Sequence, residues 1–316
     1  MSRGFNPTQV LFAPTYQCNL RCAHCCVPQG QARLPVAQGL AFLKQCRKSG
    51  IKELGFTGGE PFLYPEFLRA VSKKAVKLGY RFDRIMTNAG WFKNQKDLER
   101  TLRSILSAGF AGTFCVSADN FHKVPVAKLA RFIITAVQVT GRVDSVSLVY
   151  VNHIYKVRKL ARYLSGKISG LQRLVVPPRL DFPGLSAKIT RINLCPVDRA
   201  GVLANPWGKS WFKEDYCQGP GQVLYVDPKG EVKPCCGFAS DLPEMSIGNI
   251  YRHQAQDIIR KAQSDPFIRT IYNRGLLTLR KAYVQCHPEE KLRPTRDHCF
   301  LCWYLQKKGV RSCIKK

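Results

Sequence analysis

The sequence lacks any apolar run long enough to span a bilayer. A membrane-crossing helix needs about twenty consecutive apolar residues, and the longest runs here, such as Ser145–Val151, are far shorter. The segment from Met1 to Phe5 also lacks the apolar core of a secretory signal. We therefore expect a cytoplasmic protein with no membrane association.

Acidic residues are scarce, with 21 Asp and Glu against 50 Lys and Arg, so the formal net charge is +29. Residues 1–189 contain 29 basic and 9 acidic residues. No run of five basic residues, Arg-rich tail or recognisable RNA-binding module is present, which argues against a simple basic tail for nucleic acid. The excess favours an anionic partner, either an acidic peptide or nucleic acid. A general bias towards basic residues is an equally good explanation.

Cysteine, in contrast, is abundant, and the chain has fourteen. In a chain without a secretory signal, grouped cysteines more often bind metal or take part in redox chemistry than form disulfides. Several here are too closely spaced for disulfide staples and have the spacing of iron–sulfur ligands, namely Cys18/Cys22/Cys25/Cys26, Cys235/Cys236 and Cys299/Cys302.

The most informative group is Cys18, Cys22 and Cys25, spaced by three and then two residues. Three such thiolates can hold three irons of a [4Fe–4S] cube, and the fourth iron is then open to a small molecule. The run Thr57-Gly58-Gly59-Glu60-Pro61 follows a strand-like segment further along. Together the two signatures resemble the radical S-adenosylmethionine (radical SAM) family. Structural zinc is the alternative, but zinc needs four closed ligands and would leave the Gly-Gly-Glu-Pro run unexplained.

The resemblance implies that S-adenosylmethionine chelates the fourth iron and yields a 5′-deoxyadenosyl radical after one-electron reduction. An external donor such as flavodoxin or ferredoxin would supply that electron. The family pattern assigns the cofactor site to six residues. Gly58 and Gly59 would let the backbone approach the methionine moiety, Glu60 would accept a hydrogen bond from its ammonium group, His24 would pack on adenine, and Asn88 and Ser117 would bind ribose or carboxylate oxygens.

Strand-like and helix-like segments alternate through residues 10–177, which predicts a parallel α/β sheet. The predicted strands are Val10–Ala13, Leu54–Thr57, Phe82–Thr87, Thr113–Ser117, Val146–Val151 and Leu174–Pro177. The predicted helices are Val36–Lys48, Glu66–Leu78, Lys96–Ala108, Ala127–Val139 and Tyr155–Gly166. The pattern alone does not separate a doubly wound sheet from a barrel, and the resemblance implies a partial (β/α)6 barrel. Both signatures follow strands, at the edge where parallel folds carry their chemistry.

Residues 177–184 are rich in proline and glycine and are predicted to be a linker between a barrel domain, 1–184, and a small cysteine-rich domain, 185–316. A hairpin over 223–232 and helices over Asn249–Ala262 and Phe267–Ala282 are expected in the second domain. Cys217, Gly230 and Cys235 there resemble the opening of the SPASM/twitch extension of radical SAM enzymes. The resemblance implies a second [4Fe–4S] cluster held by Cys217, Cys235, Cys299 and Cys302, although four thiolates also suit structural zinc.

Cys115 is a candidate catalytic residue. It lies two residues before Ser117 on the same predicted strand, so both side chains point to one face. If that face is the lumen, the Cys115 thiol could donate a hydrogen atom to a substrate radical. Cys236, Cys286 and Cys313 lie near or between the auxiliary ligands in the sequence and are alternative hydrogen-atom donors on that ground alone, whereas the role of Cys195 stays open.

The leading functional hypothesis is a radical SAM enzyme that modifies an acidic peptide or protein by epimerisation, crosslinking or oxidation. Only nine residues precede the first predicted strand, so no separate peptide-recognition domain is expected ahead of the barrel. The alternatives are a small-molecule dehydrogenase with the auxiliary cluster as electron acceptor, an RNA-modifying enzyme, and a zinc-stapled nucleic-acid-binding protein.

Overall fold

The computed structural model describes residues 5–165, 167, 179–182, 184–213, 215, 217 and 222–314. In its first half, strands alternate with helices as the sequence pattern predicts. The strands are β1 (Gln9–Phe12), β2 (Glu53–Phe56), β3 (Arg81–Thr87), β4 (Thr113–Ser117) and β5 (Val146–Val151). The helices are α1 (Val36–Lys48), α2 (Pro65–Lys77), α3 (Gln95–Leu106), α4 (Val126–Thr140) and α5 (Tyr155–Ser165).

Local sequence sets the ends of these helices. Asn94 caps α3, because its side-chain oxygen accepts a hydrogen bond from the Asp97 N–H at 3.0 Å. Gly141 ends α4 in the left-handed conformation, with φ of +63°.

The second half adds strands β6 (Arg179–Phe182), β7 (Leu185–Ile192), β8 (Val223–Val226), β9 (Glu231–Lys233) and β10 (Gly248–Asn249). One sheet contains all ten described strands, in the order β10-β9-β8-β1-β2-β3-β4-β5-β7-β6. β1 to β5 are parallel neighbours, and β7 joins β5 as the sixth parallel strand. The predicted fold class, a partial (β/α)6 barrel followed by a small cysteine-rich region, is confirmed.

The two faces of the sheet have different roles. Phe12, Phe56 and Phe114 point to the helical side and are completely buried, and the Phe12 ring meets Phe67 of α2 at 5.6 Å. The opposite face, here called the lumenal face, includes a separate small cluster of apolar side chains from β1 and β8, namely Leu11, Ala13, Val223 and Tyr225.

The linker prediction is wrong for residues 179–182, which form β6 and pair antiparallel with β7. The predicted strand Leu174–Pro177 lies outside the described residues. Because β7 is part of the barrel sheet, its pairing favours a domain boundary after Ile192, and the boundary at residue 184 stays a prediction.

Four helices complete the C-terminal part: α6 (Ala255–Ser264), α7 (Pro266–Arg274), α8 (Leu276–Cys286) and α9 (His298–Lys307). The helix expected over Asn249–Ala262 begins later, because Asn249 belongs to β10. The helix expected over Phe267–Ala282 is two helices, since Gly275 breaks it at φ of +85°.

The C-terminal hairpin and helices are attached directly to the barrel. β8 pairs in parallel with β1, and the Gln45 side chain of α1 accepts a hydrogen bond from the Ala255 N–H at the start of α6, at 3.0 Å. Among the described residues, no helix combines the length and apolar character that crossing a bilayer requires.

Candidate active site

Cys18, Cys22 and Cys25 lie on the loop between β1 and α1 and line one cavity of about 230 Å³. Arg199 holds this loop from outside, since its guanidinium donates to the Cys25 and Val27 carbonyls, both at 3.1 Å. Burial raises the pKa of all three thiols. The pKa of Cys22 is raised to about 12 by burial and by the charges of Cys25 and Cys18. Thiolates at these positions therefore need a cation to stabilise them.

The ends of β2 to β5 and β7 supply most of the remaining cavity wall. Of the predicted cofactor residues, His24, Gly58, Gly59, Asn88 and Ser117 line it. The sequence reasoning did not include several others, namely Met86, Asp119, His122, Val149, Val151 and Ile192.

The glycine pair packs directly on the cysteine loop. The Gly59 N–H donates to the Thr15 carbonyl at 2.9 Å, and the Glu60 N–H donates to the Gln17 carbonyl at 2.8 Å. A Cβ atom on Gly59 would lie 2.3 Å from the Gln17 carbonyl oxygen. The close contact with the cysteine loop is by itself enough to require glycine at position 59.

Glu60 lies behind the cavity wall and is not part of its lining. Its carboxylate is completely buried and accepts hydrogen bonds from the Thr87 hydroxyl at 2.9 Å and from the Asn88 and Phe62 N–H groups at 2.8 and 3.3 Å. Burial nevertheless raises its pKa to about 7. These bonds tie the loop after β2 to the end of β3, so Glu60 positions Asn88.

Asn88 faces both the cavity and the cysteine loop. Its side-chain amide donates to the Asn19 side-chain oxygen at 2.9 Å and to the Cys18 sulfur at 3.7 Å. Its own oxygen accepts from the Gly90 N–H at 2.7 Å, which fixes the orientation of the amide. Ser117 lies at the end of the neighbouring strand β4 and also lines the cavity.

His24 packs in the cavity against two rings, Phe121 at 4.7 Å and His122 at 4.9 Å between centroids. Its Nδ1 atom is buried and has no hydrogen-bond partner among the residues that the structure describes. Burial, followed by the charge of His122, lowers its pKa to about 4, so the imidazole is neutral near pH 7. His122 itself is 2.8 Å from the Asp119 carboxylate. Asp119 was detectable in the sequence as an acidic residue just after a strand, whereas His122 carried no such signal.

The second set of cysteines also comes together. Cys299 and Cys302 lie at the start of α9, which Asp297 caps by accepting from the Phe300 N–H at 2.8 Å, and Cys235 follows β9. The sulfurs of Cys299 and Cys235 lie 3.2 and 3.9 Å from the position of a Cβ on Gly237. Burial raises the pKa of Cys235 and Cys302 well above the usual value and that of Cys299 to about 12. The charge of Cys217 also raises the pKa of each of these three thiols.

Two cysteines outside both sets differ in their exposure to solvent. Cys115 is buried on the same face of β4 as Ser117, but does not line the cavity. Burial raises its pKa, while the Ser147 hydroxyl and Arg84 act in the opposite direction. Cys236 is exposed to solvent, although protein surrounds it closely enough to raise its pKa, and Arg84 is again among the charges that act on it.

Two family models match the chain. The Radical SAM superfamily model matches residues 12–138, and an iron–sulfur cluster-binding domain, SPASM, matches residues 217–288. The chain belongs to the radical SAM superfamily. The SPASM match includes Cys217 and Cys235 and ends before Cys299 and Cys302. Radical SAM and SPASM domains use iron–sulfur clusters and S-adenosylmethionine (AdoMet), and their presence here is consistent with the two thiol sets.

Individual relatives are distant. The antilisterial bacteriocin subtilosin biosynthesis protein AlbA of Bacillus subtilis is 24% identical over 278 residues, which are 80% of this chain and 59% of AlbA. The chain thus spans about three-fifths of the length of that curated relative.

Solved structures show the same fold. Native anSMEcpe with bound AdoMet has a TM-score of 0.57 and 14% identity, over 97% of this chain and 98% of that chain. BtrN in complex with AdoMet and 2-DOIA has a TM-score of 0.50 and 17% identity, over 87% of this chain and 89% of that chain.

Proposed function

We propose that this radical SAM enzyme modifies a peptide or protein, with one [4Fe–4S] cluster on Cys18, Cys22 and Cys25. The donor set fits such a cluster, because three thiols converge on one cavity and leave a fourth corner for a small molecule. When bound, the cluster and S-adenosylmethionine supply a 5′-deoxyadenosyl radical. The residues of the chain do the rest: Asn88 and Ser117 orient polar groups of the cofactor, and neutral His24 offers an apolar ring face and an unpaired nitrogen.

The proposal includes a second [4Fe–4S] cluster on Cys217, Cys235, Cys299 and Cys302. Cys217 and Cys235 lie in the region that matches an iron–sulfur cluster-binding domain, and the Cys299 sulfur lies on the same side of Gly237 as that of Cys235, which supports iron over structural zinc. This would give four cysteine ligands and one auxiliary cluster. Clustered thiols of this kind persist in a reducing compartment, so the proposed location is the cytoplasm.

Support for a peptide substrate comes from two relatives. AlbA is named for the biosynthesis of a bacteriocin, and anSMEcpe has been solved with AdoMet and a Cp18Cys peptide, at a TM-score of 0.56 to this chain. The net charge of +29 agrees with an acidic substrate. The distance of these relatives makes the substrate class a proposal.

Among the reaction types we favour epimerisation, because the Cys115 thiol lies on the lumenal face of β4 and Cys236 is a second thiol on which the charge of Arg84 acts. In such a reaction, an S–H bond breaks, a C–H bond forms on the substrate carbon radical, and a thiyl radical is left. One electron from a flavodoxin- or ferredoxin-type donor and one proton then restore the thiol. Cys115 remains the predicted donor. Cys236 is the better placed of the two for exchange with solvent, because it is exposed whereas Cys115 is 2% exposed.

The test is anaerobic turnover in deuterated water with short peptides encoded beside the gene. The proposal predicts 5′-deoxyadenosine formation and one solvent deuterium at a peptide Cα, with deuterium incorporation lost in either Cys115→Ala or Cys236→Ala. A peptide two mass units lighter, with no deuterium and both thiols dispensable, would refute epimerisation and favour oxidation or crosslinking. Turnover of a small alcohol or an RNA instead would refute the peptide assignment.

A further inference from the structure

A row of lumenal side chains crosses the sheet beside the cavity. The strand register pairs Met86 with Cys115, Cys115 with Ser147, Ser147 with Lys188, and Lys188 with Arg179. Directly paired residues of neighbouring strands point to the same face of a sheet. The row therefore runs across β3, β4, β5, β7 and β6, from the centre of the sheet to its open edge.

The outer end of this row faces the lumen and not the helices. Leu180 of β6 and Ala187 and Ile189 of β7 belong to the main core on the helical side. Side chains alternate along a strand, so Arg179 and Lys188 point the other way, and both are exposed. In the next row towards the ends of the strands, Ser117 and Val149 line the cavity.

The two cations at this edge are an unfavourable pair without an external anion. Arg179 and Lys188 are direct cross-strand partners, and like charges in that arrangement destabilise a sheet. Neither has a carboxylate within ion-pair distance in the described part of the chain. Asp181, on the same face of β6, instead accepts a hydrogen bond from the Ser186 hydroxyl at 2.6 Å.

Ser147 provides a second, independent observation. Its hydroxyl oxygen is buried and, among the described residues, interacts only weakly with the Cys115 thiol, and an incompletely satisfied buried hydroxyl is costly. In the register it lies between the Cys115 thiol and the Lys188 ammonium group. A hydroxyl donor beside two cations has the chemistry that binds a carboxylate.

We infer that Ser147, Lys188 and Arg179, here called the basic step, bind an acidic side chain of the substrate. This inference rests on the proposed peptide-modifying function and adds the position of a specificity determinant. Neighbouring strands are about 4.8 Å apart and an extended peptide advances about 3.3 Å per residue, so the distance from β4 to the two cations on β7 and β6, about 10–14 Å, corresponds to three or four residues. The acidic residue should therefore lie three or four positions from the modified residue.

A peptide carboxylate fits the basic step better than nucleic acid does. Single-stranded nucleic acid is generally bound by a basic groove together with aromatic side chains on which bases stack. The five residues of the row include no aromatic side chain.

The test uses the holoenzyme, immobilised under anaerobic conditions, and a random library of twelve-residue peptides whose bound fraction is sequenced by mass spectrometry. The Arg179→Gln/Lys188→Gln variant is compared with Arg69→Gln/Lys73→Gln on the exposed surface of α2, which removes the same charge. A Ser147→Ala variant tests the hydroxyl separately. A random single-stranded RNA pool is offered in parallel.

We expect the wild type and the α2 variant to enrich peptides with Asp or Glu at least fivefold, and the basic-step variant to lose most of that enrichment. Ser147→Ala should reduce it partially. Equal enrichment by the basic-step and α2 variants would overturn the inference, because general surface charge would then explain it. So would a loss of RNA retention in the basic-step variant without a change in peptide selection. Formation of 5′-deoxyadenosine in the absence of peptide, measured separately on the wild type and the α2 variant, reports on the proposed function, so its failure is distinguishable from a failure of the basic step.

Discussion

Gly59 shows how tightly the two signature segments pack at the scale of single residues. A methyl group there would lie 2.3 Å from the Gln17 carbonyl oxygen and 2.7 Å from that of Tyr16. Because both neighbours are backbone atoms, Gly59→Ala should cost about 1–3 kcal/mol in the free energy of unfolding. It should also displace the cysteine loop and lower iron content. Denaturant titration and iron analysis check both effects.

Gly30→Ala is the matched control, because no atom lies within 4 Å of its added Cβ. It should leave stability unchanged or slightly higher, since it restricts the unfolded chain. Equal stability of the Gly59→Ala and Gly30→Ala proteins would show that the two segments are not in the close contact described.

Glu60 gives a second prediction at this scale. Glu60→Gln keeps the size of the side chain but turns an NH2 group towards donors that now meet a carboxylate oxygen. Leaving buried groups unpaired costs about 1–3 kcal/mol. We expect reduced stability and weaker binding of S-adenosylmethionine, with iron content retained, as measured by denaturant titration and calorimetry.

Glu53→Gln is the control for Glu60→Gln, since Glu53 forms an exposed ion pair with Arg81 at 2.7 Å and such pairs contribute little. Wild-type cofactor affinity in Glu60→Gln would exclude the positioning role.

The sequence was sufficient to group the cysteines, and most of the cofactor residues that it predicted line the cavity, because ligands on one loop and residues at the ends of neighbouring strands lie close together. The sequence did not predict that Glu60 lies behind the cavity wall. Its burial behind the wall depends on the distance between the ends of β2 and β3, which no local pattern encodes. His122 was missed for the same reason, since its relevance depends on how the loop after β4 folds back on His24.

At the scale of elements, the joint between α7 and α8 depends on Gly275. The residue has φ of +85° and ψ of 172°, a region that is essentially restricted to glycine. Its added Cβ would also lie 2.3 Å from the Asp215 carbonyl oxygen. We predict that Gly275→Ala lowers the thermal midpoint by several degrees more than Gly309→Ala does. Gly309 has φ of +77° but no atom within 4 Å of its added Cβ. Equal shifts, measured by circular dichroism, would mean that backbone strain alone accounts for the effect.

The strands and helices of the first half were predictable because each has a clear period. β7 was missed, although Leu185, Ala187 and Ile189 alternate with polar residues as a half-buried strand requires. The preceding Pro and Gly residues predicted a linker instead. The helix break at Gly275 was not predicted, because the apolar pattern continues across this residue and one glycine within a helical pattern is often tolerated.

At the scale of the whole molecule, β8 joins β1 in a single sheet, so the C-terminal thiols are held by the same framework as the cysteine loop. Sequence spacing suggested a separate second domain, since pairing between β1 and β8 spans more than two hundred residues and leaves no local trace. A shared framework fixes both thiol sets relative to the lumen.

The central claim is that two separate thiol sets each hold a [4Fe–4S] cluster. Iron, zinc and acid-labile sulfide analysis of anaerobically purified protein tests it most directly. We expect about eight iron and eight sulfide per wild-type chain. The Cys18→Ala/Cys22→Ala/Cys25→Ala variant and the Cys217→Ala/Cys235→Ala/Cys299→Ala/Cys302→Ala variant should each retain about half of that. A wild-type content of about four iron and one zinc, with the zinc lost only in the second variant, would contradict the claim.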